Sequence, residues 1–465
     1  MVKELQKKYK HNFLLSLKGI IKDPIIFSAF LVCFLVYSGH FSVKEKEGIR
    51  SLCPNENISV IEGQIASNPV KNQKNNSYSF LLKVKKVFSS RESQSHKKRE
   101  CVGAVSNEIF PVAENKKSEG SNNDTSFSAE GYVKVIIPAD FVEALFPGKL
   151  YSISKKNLII EEGANIRVSG KMKEKEKFYF LAENAYQLPW ENKVSQKFLQ
   201  IRSLLRLIFR KKMYYWKKAG GLFMALISGM REYTDEDLKE AFKNAGLSHI
   251  LALSGMHLSL FSGLSKSIFS KKIPEKLSLI FQFISISLFV FFAGLSPSLF
   301  RAFISSTISI FLSFLCIKKP SNLKILSITF LFHVLLFPED LYSLSFIFSY
   351  GAMLGINLFS DFYTLLQAKA LPIFLAQGMG GSLGAQTITA PVTLKALGSF
   401  APCGLFSNLI VSPLISLFIY AGLFLFLLSS LFPFLSYHSA ILMNILYTII
   451  EKSVFIFSKL PSIQI

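Results

Sequence analysis

The chain has 465 residues, of which 50% are hydrophobic, 45 are Phe and only 18% are charged, and its formal net charge is +22. From about residue 247 onward, long runs are nearly free of charge. That excludes an ordinary water-soluble domain, which places charges every few positions, and makes the chain an integral membrane protein.

Residues 1–24 form a basic leader containing Lys3, Lys7, Lys8, Lys10, Lys18 and Lys22, followed by the apolar segment "IIFSAFLVCFLVYSGHF", residues 25–41. A segment of roughly spanning length behind such a leader reads as an uncleaved transmembrane anchor with a cytoplasmic N-terminus. The other reading is a cleavable signal peptide, against which stand the long leader and the lack of an A-x-A-type site. Both readings export the polar stretch that begins at residue 42.

Residues 42–190 are polar and strand-like. "ISVIEGQIAS", "YSFLLKVKKVF", "EGYVKVIIPA" and "NIRVSGKMK" carry β-branched and aromatic residues in short alternating runs punctuated by Gly, Pro and Asn, the pattern of a small antiparallel barrel or sandwich. Residues 89–128, rich in Ser, Lys, Asn and Glu, read as a mobile loop. Cys53 and Cys101 fall in this domain and are a candidate disulfide pair if it is extracytoplasmic; Cys33, Cys316 and Cys403 lie in apolar segments, where a buried, inert thiol is expected.

Residues 197–218, "KFLQIRSLLRLIFRKKMYYWKK", carry eight Lys or Arg and no acid. Phe198, Ile201, Leu204, Leu205 and Ile208 recur at helical spacing, and Lys197, Arg202, Arg206 and Arg210 favour the other side. Two readings stand for this basic helix: it lies on lipid headgroups, or Arg202, Arg206, Arg210, Lys211 and Lys212 also hold the phosphates of a polyanion. Next, "TDEDLKEAFKNAG" reads as a short acidic amphipathic helix, with Thr234 as its N-cap and Gly246 as its stop.

A multi-span transmembrane domain occupies residues 220–465, with spans expected at 247–265, 277–296, 297–317, 323–337, 341–360, 371–398, 404–430 and 438–457. Lys266, Lys271, Lys272 and Lys276, then Lys318, Lys319 and Lys324, mark two cytoplasmic connections. The basic helix would then lie at the outer leaflet, against the usual charge bias. A nucleic-acid role, or an extra crossing at the apolar stretch 220–230, would relieve that conflict.

Polar residues inside these spans need reasons. Ser254 and Gly255 can interrupt a helix, which lipid tolerates only where the freed backbone packs on protein or lines a wet cavity. His249 and His257 flank that break, either as satisfied core histidines or as groups facing a pathway. Ser296 and Pro297 start the next helix and put Arg301 about one turn inside it, to snorkel to the interface or to line a pore and attract phosphate. "QGMGGSLGAQTITAP", residues 377–391, with Asn408 and Pro413 beyond, suggests further broken helices of the kind transporters use.

"AGLSHILALSGMHLSLF", residues 245–261, resembles the most characteristic motif of the ComEC competence proteins, the inner-membrane channel for DNA uptake in bacterial transformation. The resemblance extends in order through "LSPSLFRAFIS" (295–305), "PEDLYSLSFIFSYGAMLGI" (338–356), "AQTITAPVTL" (385–394) and "GLFSNLIVSPL" (404–414). It implies a polytopic α-helical membrane protein with an inserted extracytoplasmic all-β, OB-like domain near the N-terminus. Its cargo would be single-stranded DNA, and membrane lipid its surroundings. Implied partners are a DNA receptor and a cytosolic ATP-driven motor, with a homodimer as a candidate assembly.

Many family members add a C-terminal metallo-β-lactamase-like domain, and the present sequence stops at residue 465, so a separate nuclease is expected. The seven histidines, at 11, 40, 96, 249, 257, 333 and 438, contain no H-x-H-x-D-H cluster to hold a metal pair, and no G-x-x-x-x-G-K-[ST] loop marks an ATPase. No cofactor is called for. The pathway residues expected from this reading are His249, Ser254, Gly255, His257, Arg301 and Asn408. Two other functions are weighed: a transporter that is non-functional or carries a different cargo, and an intramembrane serine hydrolase with Ser254 as nucleophile and His257 or His333 as base.

Overall fold

The computed structural model describes residues 23–38, 48–51, 58–67, 69–72, 76–89, 125–138, 161–174, 178–190, 193–231, 233–269, 273–368 and 370–464. They fall into two compact units, one formed by Lys46–Leu205 and the other by Met1–Glu45 with Arg206–Ile465. Cys53, Cys101 and most of the stretch expected as a loop, residues 90–124, lie outside the described residues.

Among its described residues the Lys46–Leu205 unit has seven strands: β1 (Gly48–Ser51), β2 (Ile58–Ile65), β3 (Val70–Asn72), β4 (Ser77–Ser89), β5 (Thr125–Pro138), β6 (Asn165–Glu174) and β7 (Phe178–Gln187). Five of them close into a barrel in the order β2-β4-β5-β7-β6 and back to β2. All neighbours in the ring are antiparallel except β5 and β7, which run parallel. The inward positions of the alternating runs, among them Ile61, Leu82, Val135, Ile166, Val168 and Phe180, are completely buried and form the barrel core. Closure requires sharp bends, and glycine supplies them. The ladders shift register at Glu62/Gly63 and at Ser169/Gly170, where a Cβ would collide with the carbonyls of Lys83 and Leu181. Ser89 belongs to β4 and residues 125–128 to β5, paired with Lys86–Ser89, so the expected loop of 89–128 ran too far at both ends; a Ser-rich composition does not separate a polar strand from a loop.

Among the described residues the first helix of the helical unit is α1 (Pro24–Tyr37), whose N-cap Asp23 accepts from the Ile25 amide. With 14 residues it ends at Tyr37 and is shorter than the expected 25–41 anchor. It is also more than a tether. Ala29 and Val36 pack with Leu326, Phe330 and Tyr350, Asp23 meets Lys324 at 2.9 Å, and the Tyr37 hydroxyl donates to the Leu341 carbonyl. The Lys324 ammonium holds the Asp23 carboxyl below its ordinary range.

α2 (Val194–Met213) passes from the first unit into the second. α3 (Lys217–Ser228) is buried from Ala219 to its end and, at 12 residues, is about 18 Å long, too short to cross a bilayer. The extra crossing considered at 220–230 is therefore a core helix. The N-cap position of α4 (Glu236–Asn244) is held by Asp235, without a side-chain capping bond, and not by the expected Thr234, whose hydroxyl turns inward to donate to the Gly221 carbonyl. Lys218 pairs with Asp235 at 2.8 Å and holds its carboxyl below the usual range. Gly246, at φ +71°, stops the segment as expected.

The remaining helices are α5 (Ser248–Leu251), α6 (Gly255–Phe269), α7 (Glu275–Ala293), α8 (Pro297–Phe314), α9 (Asn322–Leu336), α10 (Leu344–Gln367), α11 (Ile373–Leu397), α12 (Gly404–Leu431) and α13 (Ser436–Ser458). Among the described residues four helical stretches are long and apolar enough to cross a membrane: Glu275–Ala293, Pro297–Phe314, Gly404–Leu431 and Pro433–Ser458. The other four expected spans differ for visible reasons. One is broken into α5 and α6, α9 has 15 residues, and α10 and α11 carry many small and polar residues.

The Gly-rich stretch does not break α11, which is continuous through Pro391, just as α12 is continuous through Pro413. Its glycines serve contact instead. A Cβ at Gly355 of α10 would collide with the carbonyl of Gly384, and one at Gly380 with the Thr364 hydroxyl, so the two backbones touch as small residues allow in lipid. Of the three thiols expected to be buried, Cys403 is buried and Cys33 half-buried, while Cys316 is exposed just past the end of α8.

Candidate functional site

Within the helical unit a cavity of about 1450 Å³ is walled mainly by α6, α8, α10 and α11. Each helix contributes a polar stripe at helical spacing. Ser298, Arg301, Ser305, Ser309 and Ser313 follow one face of α8, so the cavity accompanies that helix for about 22 Å. Ser259, Ser262 and Lys266 continue the wall along α6, and Ser382, Gln386, Thr389 and Thr393 along α11. Several of these hydroxyls donate to a carbonyl one turn back, as Ser309 does to Ser305 and Ser313 to Ser309, and so satisfy their protons while leaving lone pairs for water. Among the described residues, the charged groups on the wall are the cations Arg231, Lys243, Lys266, Arg301 and Lys319 and the carboxylate of Glu275. A wet, net-positive space inside an apolar bundle suits an anion.

Five of the six expected pathway residues, His249, Ser254, Gly255, Arg301 and Asn408, line this cavity. His257 does not; it is completely buried behind them. The chain leaves helical geometry at Ala252–Ser254, between α5 and α6, and His257 stabilises the restart. Its Nδ1 accepts from the Ser254 amide at 3.2 Å and lies 3.3 Å from the Ser254 hydroxyl. This is one arm of a capping box, with an imidazole in the place of the usual Glu. The Nδ1 lone pair is thus engaged by an amide, and Nε2 has no partner among the described residues. Among the described residues no third group orients the ring. His333, the other candidate base, is held between the Tyr350 hydroxyl at 3.2 Å and Asp340 at 3.1 Å.

Gly255 is the first residue of α6, and a Cβ there would lie 3.1 Å from Nη2 of Arg301 and 3.3 Å from the Ala302 methyl. Glycine is what lets the guanidinium lie against the helix end. Arg301 is 8% exposed, and its Nε donates to the Ser349 hydroxyl at 3.1 Å. Asn408 donates to Ser382 and accepts from Ser412, joining α11 to α12 beside His249.

The cations of α2 face the other way from what a phosphate-binding role needs. Phe198, Ile201, Leu204, Leu205 and Ile208 are the exposed face, and Arg202, Arg206 and Arg210 are buried. Arg202 pairs with Glu162 at 3.0 Å. Arg206 donates to the carbonyls of Ser228, Phe292 and Ala293, the C-terminal ends of α3 and α7, where a cation meets the negative end of the helix dipole. Arg210 lies over the Tyr233 ring, and Lys212 meets the Ser430 hydroxyl and the Phe426 ring. None of these, nor the half-buried Lys211, lines the cavity. The expected partition into two faces is present; internal carbonyls and a carboxylate take the arginines.

Sequence reading missed Ser305, Ser309, Ser313, Gln386 and the wall roles of Lys266 and Lys319. The serine spacing on α8 was the available signal.

The model of the family described as Competence protein matches residues 226–465, which includes all the cavity's walls. The chain belongs to the competence protein family. A protein of Aquifex aeolicus (strain VF5), described only as an uncharacterized protein, is 28% identical over 314 residues, covering 67% of this chain and 70% of its own length. No solved structure matches. Membership in the competence family, with apolar helices of spanning length, makes the chain a membrane protein tied to DNA uptake.

Proposed function

We propose that this competence protein conducts single-stranded DNA across the inner membrane, through the cavity among α6, α8, α10 and α11. The observation that carries the reading is the wall itself: among the described residues, five cations against one carboxylate, set in a long surface of neutral hydroxyls and amides. A conduit must hold a polyanion weakly enough to release it. Sparse cations provide entry, and hydroxyls that replace water give passage without traps.

We read the five-stranded barrel as OB-like; its ring order and its single parallel pair, β5 with β7, support that reading. We place it outside the cytoplasm, with the N-terminus inside, because the Lys clusters at 266–276 and 318–324 mark cytoplasmic connections. Energy and strand degradation are assigned to partners: a cytosolic ATP-driven motor, a separate nuclease and a DNA receptor.

The test is deletion of the gene in a competent host, followed by uptake of labelled DNA and transformation by plasmid and linear markers. Uptake should vanish, return with the wild-type gene, and fall at least tenfold short with Arg301→Ala at equal protein level. Undiminished uptake in the deletion strain would assign the protein another cargo.

A further inference from the structure

The start of α6 and the side chain of Arg301 bring two positive features to one spot in the cavity wall. α6 has 15 residues, so its amide end carries about half a positive charge. Among the described residues, the amides of Gly255 and Met256, the first two of the helix, have no hydrogen-bond acceptor. The Ser254 amide does have one, the His257 ring, so the cap is organised while the next two donors stay open.

Arg301 stands beside them. It is 92% buried by its 8% exposure, its Nε is taken by Ser349, and its Nη2 would be 3.1 Å from a Cβ on Gly255. Among the described residues no carboxylate lies within ion-pair distance of it, and neither terminal nitrogen has an acceptor. A largely buried guanidinium beside the positive end of a helix, both open to the cavity, concentrates positive charge that an anion bridging the two would offset.

We infer that the α6 amides of Gly255 and Met256 and the Arg301 guanidinium form a socket for one phosphodiester group of a single DNA strand. The inference rests on the DNA-conducting reading for its choice of anion. A guanidinium fork and two amides match phosphate oxygens in number and direction. The neighbouring wall, Ser298, Ser305 and Ser349, carries no charge that would compete for the socket or bind a second phosphate as tightly. The socket accounts for the Ser-Gly pair of the motif: serine begins the helix and glycine keeps the Cβ out of the guanidinium's place.

The test uses the purified full-length chain in detergent and a fluorescent thymidine oligonucleotide about twelve nucleotides long, titrated over a range of salt. A second probe has the same bases on an uncharged methylphosphonate backbone. Wild type should bind the charged probe in a salt-dependent manner and the uncharged one poorly. Arg301→Gln should weaken binding about tenfold or more and flatten the salt slope by about 0.7, the value for one phosphate contact on a single strand. Arg301→Lys should fall between them. Gly255→Ala keeps every charge and should still weaken binding several-fold by displacing the guanidinium, which keeps the test decisive if Arg301→Gln does not fold.

Wild-type binding that neither Arg301→Gln nor Gly255→Ala changes would remove the socket and leave DNA conduction standing. An effect of Arg301→Gln without one of Gly255→Ala would reduce Arg301 to a diffuse charge and also overturn the socket. Failure of wild type to bind the charged probe would overturn both readings. If in that case an anionic phospholipid copurifies with wild type and is lost from both variants, the site belongs to a lipid headgroup.

Discussion

Arg206 shows how a single buried cation can serve architecture rather than ligand binding. Its guanidinium gathers three carbonyls from the ends of α3 and α7, at 3.1 to 3.2 Å. Removal would strand those acceptors where water does not reach them. Arg206→Ala should therefore lower stability by on the order of 3 kcal/mol, read as a lower thermal transition in detergent, while Arg206→Lys should recover part of the loss. An unchanged transition for the alanine variant would mean that the carbonyls find other donors. Arg301 differs in its surroundings: it has one hydroxyl partner, lines the cavity, and shares its space with a helix end. Sequence shows two arginines in apolar helices and cannot tell them apart, because the distinction lies in which carbonyls or open spaces the fold brings to them.

At the scale of elements, local chemistry was legible and contact between elements was not. Ser296-Pro297 announced the start of α8, and the Ser296 hydroxyl does accept from the Leu299 amide at 3.3 Å, because capping depends on residues within one turn. The interruption before Gly255 was readable for the same reason. The glycines of 377–391 misled, since glycine weakens an isolated helix and only the neighbour α10 shows why they are there. α2 misled in a related way: periodicity separates its two faces but does not say which one the fold buries. The α10–α11 contact gives a direct check. Gly384→Val would force the backbones apart at Gly355 and should cost on the order of 2 kcal/mol, seen as a lower thermal transition or aggregation in detergent. Gly381→Ala, with nothing near its Cβ, should be neutral.

On the scale of the molecule, the two units divide the work between a closed barrel with its own core and a helical body with a polar interior. If the helical interior is a water-filled path for an anion, thiols placed along it should react with water-soluble reagents, and with a preference for negative ones. After replacement of the five native cysteines, Ser305→Cys, Ser309→Cys and Ser313→Cys would sample the wall of α8 over about 12 Å. Phe311→Cys, on the same helix but on its outward, exposed side, would report the lipid-facing surface. The three wall positions should be modified by a sulfonate-bearing methanethiosulfonate faster than by a trimethylammonium-bearing one, by on the order of tenfold at low salt, with the difference shrinking as salt rises. Phe311→Cys should react with neither in a membrane, because the thiolate that attacks does not form in hydrocarbon. Equal reactivity of Phe311→Cys and the wall positions would dissolve the distinction between lining and surface. A preference for the cationic reagent at the wall would show that Glu275 and the hydroxyl lone pairs outweigh Arg231, Lys243, Lys266, Arg301 and Lys319, and the cavity would then be an unsuitable path for DNA.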